Sequence, residues 1–304
     1  NSVREGYIMK KLLLSVLVLL GLLVTVSFGA KFTMGLSLST LNNPFFVTLR
    51  DGAVDAAKKL DINLIVVDAQ DNPAKQLSDI EDLIQRKVNF ILINPTDSSA
   101  IGSAVEKANK AGIPVATVDR NADKGKVVFH IASDNVAGGR MAARYIADAL
   151  KGQGTVIELV GIPGSSAARD RGAGFEDELA NYPKIKLVAK QTANFNRAEG
   201  LSVMENLLKA YPNINAVFAQ NDEMALGAIQ AIKAAGKLDK IIVVGFDAID
   251  DAINAIKKGD MEATIAQQPY LMGQMGVTKA FEYLTLGTVF FPVDLQVITK
   301  SNAK

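Results

Sequence analysis

From residue 32 onward the chain alternates short apolar runs with amphipathic stretches, and this rhythm restricts its possible folds more than any other feature. Residues 32–38, 63–67, 90–93, 114–118 and 127–132 are brief, largely Val- and Ile-rich and without formal charge, as parallel strands covered on both faces are. Helical patterns at 46–60, 74–87 and 99–111 separate them, with Asp97 or Ser98 as N-cap of the third and Gly112 as its stop signal. The rhythm repeats with strands at 156–160, 187–190, 216–219, 241–246 and 263–266. Helices at 167–181, 197–210, 223–235, 248–258 and 270–286 lie between and after them, and a last strand covers 295–299. The expected fold is α/β: two doubly wound, Rossmann-like parallel sheets of about five or six strands each. No Pro/Ser-rich linker divides them, so the lobes are expected to join through several short crossings, near 132–134, 267–269 and 293–295.

The ends of these strands carry aromatic or polar groups where a buried strand would ordinarily run into a bland turn. In chain order they are Ser39 with Asn43, Pro44, Phe45 and Phe46 following; Asp119 with Arg120; Gly161, leading to Arg169 and Arg171; Phe195; Asn221 with Asp222; Asp247; and Gln267. Ligands of open parallel sheets sit outside the carboxyl ends of the strands, so all of these converge on one crevice. Carboxylates, guanidinium forks, carboxamides and phenyl rings together suit a small neutral polyhydroxylated molecule, a sugar. Each hydroxyl donates once and accepts twice, while phenyl rings cover the C–H faces. Taken singly, each residue has a plainer role. Phe45 and Phe46 fit a hydrophobic staple, Asp119 and Arg120 a solvated pair, and Asp222 (favoured) and Asp247 helix caps. Arg171 could pair with Asp170 or Glu176, and Phe195 could be core.

Other classes are disfavoured. With 49% hydrophobic and 21% charged residues the chain can bury a substantial core. Net charge is +1, and the four charged residues before Lys31 contribute +2, leaving a body near −1 with no footprint for nucleic acid. Lys10-Lys11, an uncharged run over 12–28 and Gly29-Ala30 form the three zones of an export signal, about residues 9–30. An uncleaved anchor is the alternative reading of that run. Met9 is the expected initiator, residues 1–8 an upstream extension, and a soluble exported domain is expected from near Lys31. Cysteine is absent, which rules out disulfides and Cys–His chemistry. His130, the single histidine, lies in an apolar run and is expected to be structural. Residues 161–166 lack the lysine of a P-loop and are expected to orient Arg171, no G-x-G-x-x-G follows a strand, and residues 68–79 miss the calcium-loop pattern. No catalytic residue, metal or cofactor is expected.

Several blocks resemble bacterial periplasmic ribose-binding proteins, the type I periplasmic binding proteins that serve ABC transporters. They are Ser39-Thr-Leu-Asn-Asn-Pro-Phe-Phe46, Asn94-Pro-Thr-Asp97, Asp119-Arg120, His130-Ile-Ala-Ser-Asp-Asn135, Ser166-Ala-Ala-Arg-Asp-Arg-Gly172, Ala219-Gln-Asn-Asp-Glu-Met-Ala225 and Val244-Gly-Phe-Asp247. The similarity runs from about Lys31 to Thr299. It implies two lobes, 31–133 with 267–294 and 134–266 with 295–304, joined by a three-segment hinge and closing on D-ribose in the cleft. It also implies delivery to a membrane ABC permease, a periplasmic location, a monomer and, in some bacteria, a chemotaxis receptor. The sugar ligands implied are Ser39, Asn43, Phe45, Phe46, Asp119 and Arg120 from the first lobe. Arg171, Phe195, Asn221 and Asp247 come from the second, with Gln267 beside a crossing. The alternatives are another monosaccharide (allose, galactose or a furanosyl signal), an enzyme using Asp119 and Asp247, or a sugar-responsive repressor. The repressor needs a basic helix-turn-helix where the apolar run stands. The enzyme needs one protonated carboxyl, which Arg120 beside Asp119 opposes.

Overall fold

The computed structural model describes residues 32–287 and 296–302; the expected export signal and the crossing at 293–295 fall outside them. Strands β1 (Phe32–Leu38), β2 (Ile62–Asp68), β3 (Phe90–Ile93), β4 (Val115–Val118) and β5 (His130–Ile131) form a parallel sheet in the order β2-β1-β3-β4-β5. A second sheet holds β6 (Gly154–Val160), β7 (Ile185–Thr192), β8 (Ala216–Ala219), β9 (Ile242–Asp247), β10 (Ala263–Ala266) and β11 (Gln296–Thr299). Its order is β11-β10-β9-β8-β6-β7, with β11 antiparallel to β10 and the rest parallel. In each sheet the winding reverses beside its first strand, β1 or β6, which places a switch-point crevice at the carboxyl ends of both. β3, β4 and β8 are buried at every residue, which explains why they are almost wholly apolar.

The helices are α1 (Pro44–Lys59), α2 (Pro73–Gln85), α3 (Gly102–Lys110), α4 (Asn135–Ala149), α5 (Ser166–Leu179), α6 (Arg197–Ala210), α7 (Asp222–Ala234), α8 (Asp250–Lys258) and α9 (Pro269–Leu286). Between Ile131 and Asn135 the chain passes from the first sheet to the second. After Ala266 it returns, because α9 packs on α1. That packing is backbone to backbone: a Cβ on Gly52 would lie 2.0 Å from the Tyr270 carbonyl oxygen, and one on Gly273 1.9 Å from that of Leu49. The α4–α5 crossing has the same design at Gly139 and Gly174, against the carbonyl oxygens of Arg171 and Val136. It clamps the turn bearing Arg171 onto the turn bearing Asn135, so close packing of small residues positions a charged side chain.

Local boundaries differ from expectation where side chains take over from periodicity. α1 begins at Pro44, two residues early, because Asn43 caps it by accepting the Phe45 N–H at 2.9 Å. α3 begins later: Asp97 accepts from Ser99 and Ala100 and closes a separate turn before the helix. β5 is shorter than expected, although the Val128 N–H still bonds the Val115 carbonyl beside it. α7 is capped by Asn221, not Asp222. The Asp222 carboxylate turns inward instead, accepting from Thr264 Oγ1 at 2.6 Å and the Ile249 N–H at 3.0 Å.

Candidate functional site

The carboxyl ends of the two sheets meet around a small cavity. Its lining is Asn43, Phe45, Phe46, Asp119, Arg120, Ala167, Arg171, Phe195, Asn221, Asp247 and Gln267. Ten of the eleven residues expected from the sequence are thus brought together. Ser39 is not in the lining. It is fully buried one layer behind, donating from Oγ to Asn94 Oδ1 at 2.7 Å, while Asn94 Nδ2 donates to Asp119 Oδ2 at 3.1 Å. Its role is therefore to orient Asn94 and, through it, Asp119. Ala167 was not foreseen, since a methyl group carries no chemical signature. Its smallness leaves room at the start of α5.

Two acid–base pairs face each other across the cavity. Asp119 and Arg120 are each 3% exposed, so the solvated-pair reading fails for them. Arg120 Nε stands 3.7 Å from Asp119 Oδ2, and Arg171 NH1 stands 3.7 Å from Asp247 Oδ1. Both separations exceed hydrogen-bonding range, so donors and acceptors of each pair keep capacity toward the cavity. Arg120 Nε and Gln267 Oε1 make no hydrogen bond within the described chain. Arg171 does not pair with Asp170 or Glu176. Its Nε donates to Asn135 Oδ1 at 2.8 Å, its NH1 donates to the Gln220 carbonyl at 2.6 Å, and its guanidinium carbon lies 3.8 Å from the Phe246 ring centroid. Residues 161–166 therefore do not orient it. Burial pushes the Asp247 carboxyl up to about 7 against the opposing charge of Arg171, and burial lowers both arginines. Gln267 Nε2 holds Asp247 Oδ1 at 2.7 Å.

The carboxamides are more restricted than their chemistry alone allows. Asn43 and Asn221 spend their oxygens on the N-caps of α1 and α7, so what they retain for the cavity is amide N–H; Asn221 Nδ2 already gives one of its hydrogens to the Phe195 carbonyl at 3.2 Å. The rings stand on two sides. Phe46 and Phe195 flank the Arg120 guanidinium at 5.1 and 5.2 Å and also border an outer cavity. Phe45, edge-on to Phe46 at 5.1 Å, borders a different outer cavity with Asp247 and Gln267. Asp119, Phe195 and Asp247 have φ of 64°, 58° and 123°, conformations that cost non-glycine residues about 1–3 kcal/mol each. Strained backbone at three strand ends of a single cavity is an arrangement kept for its geometry.

Away from the cavity the two sheets' loops touch directly. The Ser98 N–H donates to the Gly164 carbonyl at 2.9 Å, the Ser166 N–H to Ser98 Oγ at 3.1 Å, and the Asn121 N–H to Ser166 Oγ at 2.9 Å. Arg169 NH2 pairs with Asp123 Oδ1 at 2.9 Å. A Cβ on Gly164 would lie 2.0 Å from Asp97 Oδ2, so a larger residue there would displace the Asp97 carboxylate.

Deep in the second sheet, burial pushes the Glu158 carboxyl up to about 7. A carboxyl raised in the folded chain favours folding most below its unfolded value, and that advantage fades as pH rises through 7. Stability conferred by this group is thus greatest in acid. Glu158→Gln is expected to gain on the wild type by about 3 kcal/mol between pH 4 and pH 8.5. Denaturant titrations at both pH values check this; parallel curves at both would refute it.

A family model for the periplasmic binding protein domain matches residues 34–288. The ribose import binding protein of Haemophilus influenzae is 52% identical over 295 residues, spanning 96% of this chain and 100% of its own. That of Bacillus subtilis is 55% identical over 254 residues, 84% of this chain and 82% of its own. A solved ABC transporter periplasmic solute binding protein from Actinobacillus succinogenes with bound D-allose matches with a TM-score of 0.84 at 36% identity. It covers 90% of this chain and 99% of that one.

Proposed function

The chain belongs to the periplasmic binding protein domain family, and on that premise we propose that it captures D-ribose between its lobes and delivers it to an ABC-type permease. The observation that carries the reading is the pair of buried Asp–Arg couples held apart at 3.7 Å, one on each sheet. Alternating acceptors and planar donors around a small cavity match a ring of hydroxyls, and Phe45 with Phe46 and Phe195 match its C–H faces. Asn43, Asn221 and the arginines donate; Asp119, Asp247 and Gln267 Oε1 accept. A site whose buried groups each need a hydroxyl rejects sugars lacking one by roughly 10⁴-fold.

The lobes proposed to move are 31–133 with 267–294 and 134–266 with 295–304, about a three-segment hinge. Sugar contacts from both sides stabilise the closed form by their differential affinity for it. The protein acts as a monomer that binds without catalysis, is exported to the periplasm, and presents its closed form to the permease and, where one exists, to a chemotaxis receptor. Calorimetry across D-ribose, D-allose, D-galactose and a furanosyl sugar tests this, paired with small-angle scattering. D-Ribose is expected to bind tightest and to compact the protein; a tighter partner among the others, or no compaction, overturns it. Turnover of aryl glycosides would favour the enzyme reading built on Asp119 and Asp247.

The strip joining Ser98 and Asn121 to Ser166 contributes to closure without touching the cavity. Ser166→Ala is expected to raise the Kd for D-ribose and for weaker sugars alike, by about 2- to 10-fold, because one net hydrogen bond of the closed form is lost. Calorimetry on two sugars checks it, since an altered ratio between them would place Ser166 in recognition rather than closure.

A further inference from the structure

Behind Arg171 runs a buried hydrogen-bond chain that does not line the cavity. Glu158, on β6 and fully buried, accepts at Oε1 from Gln220 Nε2 at 2.7 Å. Gln220 Oε1 accepts the Gly161 N–H at 2.9 Å, and its backbone carbonyl accepts Arg171 NH1 at 2.6 Å. A carboxamide has one accepting and one donating end. By taking the donating end, Glu158 fixes which way the Gln220 amide faces, so the oxygen must meet Gly161. Gly161 is the floor under Phe195: a Cβ there would fall 2.1 Å from that ring's Cζ. Gly172, next to Arg171, leaves its Cβ position 3.0 Å from Gln220 Nε2 and 3.3 Å from Glu158 Oε1, so helix α5 rests directly on the pair.

We propose that Glu158, acting through Gln220, is a positioning residue for the sugar site. It orients the Gln220 amide and thereby sets the Gly161–Phe195 wall and the carbonyl that holds Arg171. The proposal rests on the sugar-binding reading above. A buried carboxyl is a costly way to fill a core, and an apolar side chain of similar volume would usually serve stability at least as well. Among the described residues Glu158 Oε2 has no hydrogen-bond partner, and Lys190 Nζ lies 3.9 Å from it, so the acid is not there to complete a tight ion pair. What it supplies is one acceptor aimed at one amide. Only Oε1 is engaged, as an acceptor, so a neutral carboxamide of the same shape can do the same work.

Titration with D-ribose at 25 °C tests this in four variants. Glu158→Gln is expected to stay within about threefold of the wild-type Kd. Glu158→Met and Gln220→Met, similar in length but without the polar atoms, are each expected to weaken binding at least tenfold. The Glu158→Met/Gln220→Met double variant should be no weaker than Gln220→Met alone, because both act along one path. A merely structural role would lower Tm in the Met variants while leaving Kd in place, and that pattern overturns the proposal. So does loss of binding in Glu158→Gln equal to that in Glu158→Met. If Glu158→Met does not fold, Gln220→Met carries the test, and a wild-type Kd there overturns it. A wild type that binds no D-ribose instead defeats the functional reading itself.

Discussion

Arg171→Ala is expected to raise the Kd for D-ribose about a thousandfold, measured by calorimetry on a variant whose circular dichroism shows it folded. The guanidinium is 3% exposed, stacked on Phe246 and held by Asn135 and the Gln220 carbonyl, so its remaining donors are preorganised toward the cavity. Each charge-assisted hydrogen bond it gives the sugar contributes about 1.5–3 kcal/mol. Its removal also takes away the cation paired with Asp247, leaving only the more distant Arg120. That carboxyl, already raised to about 7, would take up a proton and stop acting as a pure acceptor. About 4 kcal/mol in all corresponds to the predicted factor. Arg171→Lys should not restore affinity, because an ammonium cannot meet Asn135, Gln220 and a sugar in one plane. Asp119→Ala, on the facing sheet, should cost a similar amount. If either alanine variant binds within tenfold of the wild type, the site is wrongly assigned.

Gly161→Ala is expected to weaken binding about a hundredfold through a single added methyl group. The new Cβ would lie 2.1–2.5 Å from Cζ, Cε1 and Cε2 of Phe195, so the ring must leave its place. Gly161 is not among the glycines with positive φ, so the backbone accepts alanine and the effect isolates the ring. Displacing Phe195 removes the second-sheet face of the aromatic wall and its contact with Arg120, opening the cavity to water, at about 2–3 kcal/mol. Phe195→Ala should lose a comparable amount. The double variant should bind like Phe195→Ala alone, because the clash has then gone. Additive losses would mean that Gly161 acts by another route.

The alternation of neutral apolar runs with amphipathic stretches was enough to read both sheets and their approximate strands. It also predicted where a ligand would sit, since parallel strands end on one side. Ten of the cavity's residues were legible because polar or aromatic groups gather at several strand ends at once, although each has a plainer role singly, and because the resemblance to ribose-binding proteins implies these positions. Ser39 misled for the same reason: it looks like a ligand at a strand end, and only its bond to Asn94 reveals a supporting role. Asp222 was read as a cap by its position, but Asn221 beside it has the same capping chemistry and takes the place. Ala167, Glu158 and Gln220 carried no readable signal, because a methyl group, one acid within a strand and one amide before an Asn are each unremarkable in sequence.

The amino-acid order alone thus determined what is written in periodicity and residue type: the fold class, two winding sheets, and the set of groups from which a sugar site could be assembled. Tertiary structure decided which of those groups face the cavity, which end of each amide points inward, and which glycines let helix backbones pack so closely that a Cβ would not fit. The division has a physical cause. Burial patterns repeat every two or 3.6 residues and are visible locally, whereas hydrogen-bond direction and close approach depend on partners as distant as Glu158 and Gln220, brought together only when the chain folds.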